Sequence, residues 1–145
     1  MPTLNTTVER IFEININIYI MKKIISTPKA PAAIGPYSQA VEANSTLFIS
    51  GQIPINPETG KLVEGGITDQ TQQVFRNIGA ILNEAGYSFK DVVKSTCLLS
   101  DIADFKAMNE VYSGYYPENK PARAAYAVKG LPMGAMIEIE TIAVK

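Results

Sequence analysis

The chain has 145 residues, of which 46% are hydrophobic and 19% charged, with a net charge of −1 and no histidine. This suits one domain with a real core, and it excludes imidazole-based catalysis and His-ligated zinc. There is no basic excess of the kind a nucleic-acid partner needs, and no apolar run nears the ~20 residues that span a bilayer.

Residues 1–20 stand apart. "EININIYI" alternates Ile14, Ile16, Ile18 and Ile20 with Asn15, Asn17 and Tyr19, which is a strand pattern. The same Ile, Asn and Tyr bias is what translated AT-rich upstream DNA would give. Glu9 and Glu13 break the order of a signal peptide, and Met21 reads as a natural start. The expectation is an N-terminal extension over 1–20, either edge strand or dispensable tail, followed by a single domain over 21–145.

Ser26–Ala40 is too rich in Pro and Gly for a helix and reads as an extended segment turning at Gly35-Pro36. "AVEANSTLFISG" predicts two strands around a turn near Asn44-Ser45. "PINPETGKLVEGG" reads as a loop. Asp69–Ala85 is the clearest helix, with Val74, Ile78, Ile81, Leu82 and Ala85 on one face. Asp69 with Gln72 resembles a capping box, and Gly86 suits the C-terminal cap. Gly79 inside the helix suggests close packing on a sheet.

"DVVKSTCLLS" predicts a strand with Val93, Cys97 and Leu99 on one face. A second helix is expected over about Ile102–Tyr115, with the stripe Phe105, Met108, Tyr112 and Tyr115 and Ser100 or Asp101 as cap. "PARAAYAV" and "AMIEIETIAVK" are the last strands, separated by a turn at "LPMG". Helices on one face of a mixed sheet make an α+β domain. The other face is the difficulty. Met136, Glu138, Glu140, Ile142 and Val144 share one side of the last strand, half apolar with isolated charges. Such a face is often buried by another subunit, so an oligomer is expected.

Arg123 stands among alanines. It is either a sheet-face charge paired with a glutamate or an anion clamp, its planar fork fitting a carboxylate while Ala122, Ala124 and Ala125 leave room for a small ligand. Glu138 and Glu140 share a face at i, i+2, and a Glu138 set beside apolar neighbours would have a raised pKa and could hold a water or move a proton. Glu140 reads as a solvated or interface residue. Cys97, the only cysteine, allows no intrachain disulfide and leans the reading toward the cytoplasm. With no basic cluster beside it, it reads as a buried structural thiol. Tyr37 is either a cover for the core or a lid over a ligand.

"APAAIGPYSQA", "FISGQIP", "GGITDQTQQVFRNIGAIL", "DVVKSTCLLSDIADFKAMNEVY", "PARAAYAV" and "LPMGAMIEIETIAV" together resemble the RidA (YjgF/YER057c/UK114) family over about 21–145. The resemblance implies a chorismate-mutase-like homotrimer with a central β-barrel, helices outside and ligand clefts between subunits. It implies hydrolytic deamination of reactive 2-imino acids, 2-iminobutanoate and 2-iminopropanoate, to 2-keto acids and ammonia, with no metal or cofactor. The family's carboxylate-binding arginine falls on Arg123 and its water-orienting glutamate on Glu138. Its cleft tyrosine falls on Tyr37, its helix asparagine on Asn109, and its cleft-lining backbone on Gly51. One departure stands out. Many members carry cysteine two residues after the arginine, where this chain has Ala125, so the expectation is that the backbone carbonyl there accepts the iminium N–H. Two other readings use the same chain: a non-catalytic sensor of small carboxylates, which needs Arg123 but not Glu138, and a ribonuclease or translation inhibitor, which the charge balance disfavours.

Overall fold

The structure, a computed structural model, describes residues 22–145. The alternating stretch over 14–20, expected as edge strand or tail, lies outside them. The described elements are β1 (Lys23–Ile25), β2 (Ala40–Ala43), β3 (Thr46–Gln52), β4 (Ile55–Asn56), β5 (Lys61–Leu62), α1 (Ile67–Glu84), β6 (Val92–Leu99), α2 (Phe105–Tyr115), β7 (Ala122–Ala127) and β8 (Ile137–Val144). One sheet runs in the order β1-β2-β3-β8-β6-β7. Among the described strands only the β6–β7 pair is parallel, and α2 is the crossover that a parallel pair requires. The result is the expected α+β domain.

The helices cover one face of the sheet. α1 presents Val74, Phe75, Ile78, Ile81 and Leu82, all essentially inaccessible, to Leu47, Ile49, Ile137 and Ile139 of the strands. Burying side chains of this size contributes about 1.5–3 kcal/mol each. α2 locks onto α1 through aromatics: the Tyr115 ring stacks on Phe75 at 4.3 Å and the Tyr112 ring meets it edge-on at 5.7 Å.

Several local expectations shift. α1 is capped by Gly66, with Asp69 in its first turn reaching back so that the Gly66 N–H donates to its carboxylate at 3.2 Å. Asp69 is thus the acid of the cap rather than its first residue. Gly86 ends the helix at φ +77°, its N–H donating to Asn83 and that of Tyr87 to Leu82, a paired closure that needs a left-handed residue. Gly79 does pack closely, but against the Phe89 ring, not the sheet. The stretch read as a loop holds the short β4–β5 hairpin. Ile102–Asp104 forms a 3-10 turn before α2, capped by Asp101, whose carboxylate accepts from the Ala103 N–H.

β6 contains the main surprise. Its register against β8 slips between Val92 and Lys94, a bulge that reverses the alternation. Val92 is therefore buried with Cys97 and Leu99, and Val93 is 46% exposed.

No other element of the described chain covers the second face of the sheet. Ile24, Val41, Phe48 and Ile142 are register partners and form an apolar row over β1, β2, β3 and β8, ending at Lys94 of β6. Ile24 and Phe48 are 59% and 48% exposed. Leu98 lies beside Glu138, and Tyr126 beyond Leu98, on the same face.

Candidate active site

Arg123 is carried by the edge strand β7 and points to the helix face. Its cross-strand partner Ser95 is fully buried there. Its Nη1 donates to Oδ1 of Asn109 on α2 at 2.7 Å. The guanidinium carbon lies 4.6 Å from the centre of the Tyr112 ring and 5.4 Å from that of Phe105. A cavity of about 350 Å³ opens beside it, lined by Asn109, Tyr112, Lys120 and Pro121 among others. Ala125, two residues along, is on the same face and in register with Cys97. Arg123, Asn109 and Ala125 thus form one cluster. The alternative in which Arg123 pairs with a glutamate gives way to this arrangement, because its recorded partners are an amide and two rings.

Glu138 points the other way. On β8 it sits between the fully buried Ile137 and Ile139, so its side chain leaves the opposite face of the sheet, in register with Leu98. Burial, and then repulsion from Glu140, raise its pKa above the usual carboxylate range. Gly51, in the irregular stretch where β3 slips against β8, lies directly against it. A Cβ built on Gly51 would run into the Glu138 carboxylate, so the glycine is what gives that carboxylate its place. Gly51 also lines a small pocket of about 70 Å³ with Tyr37, Pro31 and Gln39. Tyr37, about half exposed, is set by a tight turn in which its N–H donates to the Gly35 carbonyl at 2.9 Å. Tyr37, Gly51 and Glu138 therefore form a second cluster.

The sequence reading missed what holds both clusters in place. Buried Gln39 anchors the segment that presents Tyr37: its amide nitrogen donates to the carbonyls of Thr27, Ala30 and Pro31, and its amide oxygen accepts from the Thr27 N–H. Phe105 and Tyr112 were visible as a helical stripe, with nothing to say that Arg123 would stack on them. Cys97 is inaccessible, and burial pushes its thiol up to about 11, in keeping with a structural role. Among the described residues, no three Cys, Asp or Glu side chains gather as a metal cage would need, and no helix is long and apolar enough to cross a membrane.

An α+β chain carrying an arginine cluster and a glutamate cluster on opposite faces of one sheet is the class defined by this geometry. Residues 27–145 match the family model described as Endoribonuclease L-PSP, and the chain belongs to that family, the YjgF/RidA family. It is 58% identical over 125 residues to a RutC family protein of Pyrococcus horikoshii, covering 86% of this chain and 99% of that one. It is 52% identical over 126 residues to the human 2-iminobutanoate/2-iminopropanoate deaminase, covering 87% and 92%. Among solved structures, RidA of an Antarctic Psychrobacter superposes with a TM-score of 0.82 at 49% identity, over 85% of this chain and 99% of that one. Escherichia coli TdcF with bound serine superposes with 0.81 at 41% identity, over 85% and 98%.

Proposed function

We propose that this chain hydrolyses 2-iminobutanoate and 2-iminopropanoate to the corresponding 2-keto acids and ammonia. It does so as a cytoplasmic homotrimer in which each cleft takes Arg123, Asn109 and Ala125 from one protomer and Tyr37, Gly51 and Glu138 from the next. One observation carries the reading: Arg123 and Glu138 leave opposite faces of the same sheet, so one chain alone does not bring them together. The apolar row on the uncovered face and the edge of β7, unpaired among the described strands, give the contacts that assembly requires. The name of the human relative and the amino acid bound to TdcF support a small α-carboxylate substrate.

The chemistry asks little of the protein. A protonated imine is already electrophilic. Arg123 grips the substrate carboxylate through the N–H groups that Asn109 leaves free. Water adds through oxygen to the imine carbon while the C=N π pair moves to nitrogen, and Glu138 takes the proton that the water loses. The same carboxyl then protonates the amine nitrogen. The C–N bond breaks, ammonia leaves, and the remaining hydroxyl becomes the keto oxygen by losing its proton. The Ala125 carbonyl accepts an iminium N–H, which favours the charged, reactive form. Holding water and substrate in this arrangement supplies most of the acceleration.

The test couples the purified protein to a threonine dehydratase and follows keto-acid and ammonia release. Release accelerated by the protein, and lost in Arg123→Ala and Glu138→Gln, is the expected result; no acceleration sinks the reading. The description of the family model favours a second reading, RNA cleavage. RNA cleavage that disappears with Arg123→Ala would favour it.

A further inference from the structure

We infer that Tyr112 is a positioning residue for Arg123, an inference that rests on the carboxylate-gripping role proposed above. Phe105, Asn109 and Tyr112 stand at i, i+4 and i+7 on α2, one stripe of the helix, and all three contact the guanidinium. Their contributions differ. The hydrogen bond from Arg123 Nη1 to Asn109 fixes one N–H direction and leaves the guanidinium plane free to swing about it. A ring face 4.6 Å away fixes that plane. Together they hold the guanidinium at the wall of the cavity that Arg123 lines.

None of these partners is anionic. An aspartate in place of Asn109 would hold the arginine as firmly but cancel its charge. An amide and a ring hold it and leave the charge for the ligand. The Tyr112 ring is itself immobile: it is 7% exposed, edge-on to Phe75 at 5.7 Å and tilted against Tyr116 at 4.8 Å. Its buried hydroxyl faces the Ser95 hydroxyl, not Arg123, and it is the ring that lies against the guanidinium. The ring face, not the hydroxyl, is the working part.

That distinction gives a test that a purely structural role would fail. Binding of 2-ketobutanoate is measured by calorimetry, and KM and kcat in the coupled assay, for Tyr112→Phe and for chains with 4-fluorophenylalanine or pentafluorophenylalanine at position 112. These rings keep their shape while the negative face is progressively withdrawn. Tyr112→Phe restores the wild-type constants. Pentafluorophenylalanine weakens keto-acid binding and raises KM by about 3- to 30-fold, the range expected for a shielded cation–π contact. The kcat and the thermal midpoint stay put, and the monofluoro ring falls between. Equal affinities across the series overturn the inference while leaving the carboxylate grip intact. Normal keto-acid binding by Arg123→Ala would instead overturn the grip, and the inference with it.

Discussion

The division of the site between two faces predicts complementation between two inactive proteins. Arg123→Ala removes the fork proposed to hold the substrate carboxylate. Two charge-assisted hydrogen bonds, each about 1.5–3 kcal/mol when shielded from water, amount to roughly 10²- to 10⁴-fold in kcat/KM. Glu138→Gln removes the proton acceptor. Each variant alone should be folded and nearly inert. If equal amounts are unfolded together and reassembled, a cleft works only when its arginine comes from a Glu138→Gln chain and its glutamate from an Arg123→Ala chain. Random assortment around a closed ring makes that about a quarter of the clefts, so about a quarter of wild-type activity should return. The assay is keto-acid release in the dehydratase-coupled reaction, with native mass spectrometry to confirm that mixed assemblies formed. Mixed assemblies without recovered activity would show that Arg123 and Glu138 do not meet across an interface, and would refute the shared cleft.

Other outcomes follow from the same geometry. Gly51→Ala places a methyl group where the Glu138 carboxylate now lies; the flexible carboxylate moves rather than the backbone, so turnover should collapse while the thermal midpoint falls little, and a variant with normal turnover would contradict this. Glu138 must be ionised to take a proton from water, so kcat/KM should rise with pH through its raised pKa. Glu140→Gln, by removing the repulsion that helps raise it, should move that acid limb to lower pH; an unmoved limb would assign it to another group. The folded state binds the Glu138 proton more tightly than the unfolded state does, so this group costs stability as pH rises through its folded pKa. Glu138→Gln should therefore be more stable than the parent above that window and no different well below it, as thermal melts across pH would show. Cys97, inaccessible and with its thiol pushed up to about 11, should resist alkylation by iodoacetamide at pH 8 until denaturant is added; rapid labelling of the native protein would contradict its burial.

Much of the fold was legible because it rests on periodicity. The alternation in β8 put Ile137, Ile139, Thr141 and Ala143 on one side, and all four are buried. The turn at Asn44-Ser45 is where both residues take positive φ. What failed depends on partners that the local sequence does not name. The bulge in β6 is a relation between β6 and β8, so Val92 and Val93 changed places. α1 starts at Ile67, two residues before Asp69, because its cap, Gly66, has no side chain to advertise it. The site was legible in the same divided way. Arg123 and Glu138 could each be assigned a strand and a parity. Whether those parities meant the same face depended on β7 lying parallel beside β6, a pairing set by the α2 crossover and invisible to a pattern of alternation.

That separation has a physical consequence for catalysis. Had Arg123 and Glu138 shared a face on neighbouring strands, they would pair. An opposite charge at contact distance lowers a carboxylate pKa by roughly 1–3 units and occupies the guanidinium fork. The protein would then hold a stable ion pair, with a carboxylate too weakly basic to draw a proton from water and an arginine with nothing left for a substrate. The chain instead rests its arginine on an amide and two rings and sets its glutamate among neighbours that raise its proton affinity. Neither charge neutralises the other within the described chain, which is what the proposed shared cleft requires. In the proposed mechanism the substrate's own carboxylate takes the arginine, and Glu138, its proton affinity raised, acts on water. On the proposed reading, a chain without histidine runs its hydrolysis on these two charges, because among the described residues neither is neutralised by the other.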